Sequence, residues 1–254
     1  MRNIKIIIEY DGTKYSGWQM QKNSITIQEE LQKAIFKITG ERVNIIGAGR
    51  TDAGVHAKGQ VANFITKSGI PEKQFSWALN SVLKKDIVVK DSQEMPIDFH
   101  ACFDAKSKIY SYTIYNSVFP PGIMRDYMYH FKYKKLLKIE KIKEAADCFV
   151  GTFDFKGFMA AGSSIKNTVR TIYSIEIIEN DDIIKILYHG NGFLYKMIRM
   201  ITGTILYAGI NKINIEEILK KLETGNKKIL GATAPAHGLC LEKVFYVDTP
   251  GSIY

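Results

Sequence analysis

Cysteine is scarce and scattered. Cys102, Cys148 and Cys240 are the only three, far apart and without a C-x-x-C pair. That count argues against a disulfide framework or a zinc knuckle and fits a reducing compartment. Long apolar runs are also missing. At the N-terminus Ile6, Ile7 and Ile8 stand between Lys5 and Glu9, too short a run for a signal-peptide core. No stretch approaches the length of a membrane span, so the expectation is a cytoplasmic protein with no membrane partner. The five histidines, His56, His100, His130, His189 and His237, show no H-E-x-x-H or other ligand spacing, and no metal is expected. Acidic residues are outnumbered: 26 Asp plus Glu against 35 Lys plus Arg gives a net charge of +9. Such an excess suits a polyanion, either nucleic acid or an anionic surface. Low-complexity stretches and long linkers are absent, and 46% of the 254 residues are apolar, enough to bury a core without staples.

Periodicity supplies an order of elements. Ile4 to Tyr10 is rich in β-branched residues and runs into Asp11-Gly12, a strand and a turn. Thr26 and Glu29 have capping-box spacing ahead of the stripe Ile27, Leu31, Ala34, Ile35, Ile38, and Gly40 ends that helix. Strands are expected at about Val43 to Ala48 and Gly59 to Ile65. Pro71 should open a helix with the stripe Phe75, Leu79, Val82, Leu83, and a strand is expected from Ile87 to Lys90. This is a βαββαβ, ferredoxin-like order.

The order then returns. Lys108 to Tyr115 reads as a strand and Ile139 to Phe149 as a helix stopped by Gly151. Strands follow at Arg170 to Ile178 and Ile183 to His189, helices at Phe193 to Tyr207 and, behind Asn214, Ile215 to Leu222. Leu239 to Val247 is the last strand. The expected fold class is α+β: two ferredoxin-like halves, 1–105 and 106–254, with antiparallel sheets side by side and a central cleft, a usual place for a ligand.

The segment Gly47-Ala48-Gly49-Arg50-Thr51-Asp52-Ala53-Gly54-Val55-His56-Ala57 joins two strands by more residues than the two to five of a plain hairpin. A long loop with several glycines and a charged centre is a candidate functional loop. Turn-capping by Asp52 and its pairing with Arg50 would account for it equally well. A phosphate cradle is disfavoured, because the Gly-Lys-Ser/Thr ending of such loops is missing.

G-R-T-D-A-G-V-H-A at 49–57 resembles the catalytic signature of the TruA family of tRNA pseudouridine synthases. Asp11-Gly12-Thr13-Lys14-Tyr15-Ser16-Gly17-Trp18-Gln19 is similar to that family's opening motif. So are Phe99-His100-Ala101 with Lys106-Ser107-Lys108-Ile109-Tyr110, Asp154-Phe155 with Phe158, Phe193 to Arg199, and Ala234-Pro235-Ala236-His237-Gly238-Leu239 to later ones. Several motifs in the right order are far more specific than one glycine loop.

The resemblance implies an isomerase that turns uridine into pseudouridine at tRNA positions 38, 39 and 40, in the anticodon stem-loop. It implies no cofactor, a homodimer, and one RNA contacting both subunits. Asp52 is implied as the catalytic carboxylate, acting as nucleophile or as base. Arg199 is implied as its partner, and Arg50 as the group that enters the space of a flipped-out base. Tyr110 would supply a flat ring against that base, and Leu239 would line the pocket. His56 stands too near Asp52 to set aside and joins the substrate-binding set.

RNA contacts are expected from Lys14, Arg170 and a lysine cluster that includes Lys134 and Lys135, with tyrosines interleaved. Cys102, Ile109 and Met159 depart from the family pattern, which bears on which RNA is modified: a paralogue acting on ribosomal RNA is the alternative. A non-catalytic RNA-recognition module would show an aromatic RNP1 strand, and none matches. A metal-dependent nuclease would need gathered carboxylates, whereas the adjacent Asp181-Asp182 reads as a turn.

Overall fold

The computed structural model describes residues 1–132, 137–162, 165–226 and 230–247. The elements run β1 (Arg2–Tyr10), α1 (Ile27–Thr39), β2 (Ile46–Gly47), β3 (His56–Thr66), α2 (Gln74–Asn80), β4 (Ile87–Met95), β5 (Ser107–Tyr115), β6 (Tyr129–His130), α3 (Ile139–Asp147), β7 (Gly151–Asp154), β8 (Val169–Asn180), β9 (Ile183–Gly190), α4 (Met197–Gly209), α5 (Ile215–Thr224) and β10 (Leu239–Phe245). The class is α+β, as the periodicity indicates. The described residues divide into two compact units, one of Met1–Lys106 with the segment that begins at Cys240, the other of Ser107–Leu239.

In the first unit β1 lies between β4 and β3, antiparallel to both, and β2 pairs antiparallel with β3. That is the strand arrangement the βαββαβ order calls for. β10 joins it parallel to β3, with Cys240 opposite His56 and Leu241 opposite Ala57. Alternate residues of β1, Ile4, Ile6 and Ile8, are fully buried, as period-two alternation demands. Ile27, Leu31 and Ile35 of α1 and Phe75 and Leu79 of α2 supply the helical side of this core.

Helix α1 has the boundaries its sequence announces. Thr26 Oγ1 accepts the Glu29 amide at 3.4 Å. Gly40, with φ of 75°, returns its amide to Phe36 O, the left-handed ending that glycine permits. Helix α2 stops at Asn80, before the Val82 and Leu83 of its expected stripe. The strand expected over Val43 to Ala48 shrinks to Ile46–Gly47. Its missing part has a physical cause: Gln32 Nε2 takes Val43 O at 2.9 Å and Gln28 Nε2 takes Ile45 O at 2.9 Å. Helix side chains satisfy carbonyls that a ladder would otherwise need.

In the second unit β9 lies between β5 and β8, antiparallel to both, and β7 closes on β8. The short β6 runs parallel to β5. β6 and β7, two and four residues long, are too short to leave a periodic signal. The helix expected from Phe193 begins only at Met197, because Lys196 takes a left-handed conformation at φ 58°. Leu194, just before α4, is buried. Asn214 and Glu217 form a full capping box at α5.

Helix α4 is buried on nearly every side, including Thr202 and Gly203. Thr202 bonds the Tyr188 hydroxyl at 2.8 Å, and a Cβ at Gly203 would overlap Ala232 O and sit 2.9 Å from Ala232 C. Helix propensity alone favours Gly203→Ala by about 1 kcal/mol. Overpacking against backbone costs about 1–3 kcal/mol or more, so the clash should win. The expected result is a Tm lowered by roughly 2–8 °C in thermal denaturation. A raised Tm would mean that the 231–234 segment yields freely.

Candidate active site

In the first unit, the 47–56 loop is braced by the segment 10–18. The Trp18 amide donates to Thr51 O at 3.1 Å and the Gly54 amide to Tyr15 O at 3.3 Å. Tyr10 and Thr51 share a hydroxyl bond of 2.8 Å. That phenol is buried, and desolvation pushes its pKa far up, against the opposing pull of its bonds to Thr51 and Gln60. Gln60 Nε2 donates to Gly49 O at 2.8 Å.

Two glycines of the opening motif allow close approach. A Cβ on Gly12 would overlap Val55 O, and one on Gly17, whose φ is 89°, would stand 2.6 Å from Thr51 O. On the loop side, a Cβ on Gly47 would meet the Trp18 ring at 2.5 Å. Tyr15 is itself tied down, its hydroxyl donating to Asp86 Oδ1 at 2.7 Å. Register shifts in both ladders of β1, at Ile7/Ile8 and Ile8/Tyr10, mark its approach to this loop. Such irregularities re-aim a strand end.

Within the brace, the Asp52 carbonyl accepts the Val55 amide at 3.1 Å, closing a turn. Asp52 is half-buried between buried Thr51 and exposed Ala53, and Arg50 is exposed. His56 opens β3 with its ring buried, Nδ1 3.1 Å from the Gly12 amide. Lys14, on the opening segment, is exposed.

The second unit gathers three other motif segments. Arg199, in the first turn of α4, donates Nε to Ala234 O at 2.7 Å, and its carbonyl accepts the Ala234 amide at 3.0 Å. Tyr112 donates its hydroxyl to Pro235 O at 2.8 Å. A Cβ on Gly238 would meet the Tyr112 ring at 2.7 Å. Burial pushes the Tyr112 pKa up, and the Arg199 charge pulls it partly back. Tyr110, two residues earlier on β5, is 7% exposed and meets Phe193 edge-on at 5.4 Å. Leu239, at the end of the Ala234–Leu239 segment, is buried.

Asp154-Phe155 with Phe158 is core: both phenylalanines are buried, and Asp154 caps the short turn by accepting the Lys156 amide at 3.0 Å. Arg170 is half-buried and donates Nη1 to Asn167 O and Val169 O. Lys134 and Lys135 lie outside the described residues. Lys132, Lys138, Lys141 and Lys143, of the same cluster, are exposed, and Lys141 pairs with Glu144 at 2.6 Å. Sequence reading missed Tyr10, Gln60, Trp18 and Asp86 as supports. Tyr10 and Trp18 stand close to the motif glycines Gly12 and Gly17 in the chain, a signal that spacing alone does not interpret, and no such signal marks Gln60 or Asp86. Among the described residues, no three His, Cys, Asp or Glu gather as a metal site, and no helix is long and apolar enough to cross a membrane.

A half-buried carboxylate on a backbone-braced loop is an arrangement that acid–base or nucleophilic chemistry can use. A family model described as tRNA pseudouridine synthase matches residues 6–104 and 145–247. The tRNA pseudouridine synthase A of Acetivibrio thermocellus is 52% identical over 246 residues, covering 97% of this chain and 100% of that one. Those of a Thermoanaerobacter species and of Clostridium kluyveri are 50% and 48% identical at the same coverage. The chain belongs to the tRNA pseudouridine synthase family, whose members are isomerases.

Proposed function

We propose that this protein isomerises uridine to pseudouridine in the anticodon stem-loop of tRNA, at positions 38, 39 and 40, with Asp52 as the reacting carboxylate. It works in the cytoplasm as a homodimer and without a cofactor. The observation that carries the reading is the Asp52 loop: its main chain is pinned to the opening motif on both sides of a half-buried carboxylate. Preorganised placement of a reacting group is what such chemistry requires.

The reaction balances without an outside reagent. The bond from ribose C1′ to base N1 breaks, the base turns, and a bond from C1′ to base C5 forms. The C5 hydrogen leaves as a proton, and N1 gains one. Asp52 attacks the sugar or base, or takes a sugar proton.

The target base must first leave its stack. In this proposal Arg50, which is exposed, holds phosphates or fills the vacated space, Tyr110 offers the base an aromatic ring, and Leu239 an apolar wall. Arg199 orders the start of the Ala234–Leu239 segment through its two bonds to Ala234. Lys14, Arg170, Lys134 and Lys135 serve the RNA backbone.

The test is tritium release from tRNA transcripts labelled at uridine C5, in the absence of metal, followed by mapping of the modified positions. Release from positions 38 to 40 is expected. Binding without release from any tRNA would reject the reading, and release from ribosomal RNA alone would move the target. Binding should also weaken steeply with salt. Lys14→Ala should reduce the slope of log affinity against log salt by about one, as measured by filter binding. An unchanged slope would remove Lys14 from the interface.

A further inference from the structure

His56 follows Asp52 by four residues and is 6% exposed. Its Nδ1 lies 3.1 Å from the Gly12 amide nitrogen, in donor geometry, and 3.2 Å from Asp11 Oδ1. A ring nitrogen presents either a lone pair or a hydrogen, so these two contacts cannot both be hydrogen bonds at once. Gly12 is buried, and a buried amide left without an acceptor is costly. Asp11 Oδ1 already accepts from the Thr13 amide at 3.0 Å and from Thr13 Oγ1 at 2.6 Å. The lone pair therefore sits on Nδ1 and the ring hydrogen on Nε2.

We infer that His56 is a positioning residue for the isomerisation: a neutral imidazole whose Nδ1 locks onto the Gly12 amide and so fixes where Asp52 stands. It neither contacts the flipped base nor transfers a proton, which gives it a different job from the substrate contact expected from sequence. The link to Asp52 is short. Gly12 is pressed against Val55 O, and the Val55 amide closes the turn onto Asp52 O. His56, Val55 and Gly12 thus form one packed unit, and releasing the ring frees the end of the turn that carries the carboxylate. The inference rests on Asp52 being the reacting group.

The experiment compares wild type with His56→Asn, His56→Gln and His56→Leu for tritium release, tRNA affinity and pH profile. Asparagine places an acceptor near the position of Nδ1, glutamine near that of Nε2, and leucine neither. His56→Asn should stay within about threefold of wild-type kcat. His56→Gln and His56→Leu should lose roughly 10²-fold in kcat, the scale of a misplaced reacting group, with KM and tRNA affinity unchanged.

The pH profile of His56→Asn should match that of wild type. An asparagine variant as slow as leucine, a raised KM, a lost pH limb, or wild-type kcat in all three variants would overturn the inference. If His56→Leu does not fold, the two near-isosteric polar variants still decide it. Hydrogen exchange at the Gly12 amide tests the pin apart from the reaction. It should be slow in wild type and His56→Asn and fast in His56→Gln. Should wild type release no tritium, the proposed activity fails, while the exchange result still reports on the pin.

Discussion

Asp52→Asn should bind tRNA as wild type does and release tritium at least about 10⁴-fold more slowly, the scale of loss when a directly reacting group is removed. The amide is nearly isosteric with the carboxylate, and the loop is held mainly through its backbone: Trp18 to Thr51, Gly54 to Tyr15 and Val55 to Asp52. The substitution leaves those three backbone bonds in place and removes the charge and one carboxylate oxygen. On the proposed reading other residues make the phosphate contacts, so affinity should change by no more than a few fold. Single-turnover release and filter binding on the same preparation separate the two quantities. A variant that still turns over near the wild-type rate would mean that another carboxylate performs the chemistry. A variant that loses binding and turnover together would mean that Asp52 acts in RNA recognition.

What the sequence disclosed and what it withheld divide along a physical line. Local signals were legible. Thr26 and Gly40 bound α1, and Asn214 with Glu217 opens α5, because caps are chemistry between near neighbours in the chain. The strand character of β1 and β5 was legible for the same reason. Effects that depend on distant partners were not. Nothing near Val43 announces that Gln28 and Gln32 will take the carbonyls of that segment. Lys196 carries no glycine-like signal for the left-handed turn that delays α4.

The 47–56 loop stood out by length and glycine content, and the motif resemblance singled out Asp52 within it. That the opening motif is the brace of the Asp52 loop could not be read from spacing. It emerges only when Gly12 meets Val55 and Trp18 meets Gly47. The same holds in the second unit, where Arg199 proves to be tied to the main chain of Ala234.

Gly17→Ala carries the second large expectation, and it turns on that brace. Gly17 has φ of 89°, and a Cβ there would stand 2.6 Å from Thr51 O, 3.1 Å from Ala53 N and 3.1 Å from Asp52 C. The left-handed conformation costs an alanine about 1–2 kcal/mol, and the overlap adds about 1–3 kcal/mol. None of the three is a flexible side-chain end; all belong to the main chain of the Asp52 turn. Relief therefore comes by moving that turn, and a shift near 1 Å costs roughly 10²-fold in rate.

Gly40→Ala provides the control. Its φ is 75°, but a Cβ there meets nothing within 4 Å, and it ends α1 away from the loop. Gly40→Ala should lower Tm modestly and leave kcat unchanged, whereas Gly17→Ala should lower Tm further and depress kcat even well below its melting range. Equal turnover in the two variants would show that the opening motif does not set the position of Asp52. Its glycines would then be needed only for folding.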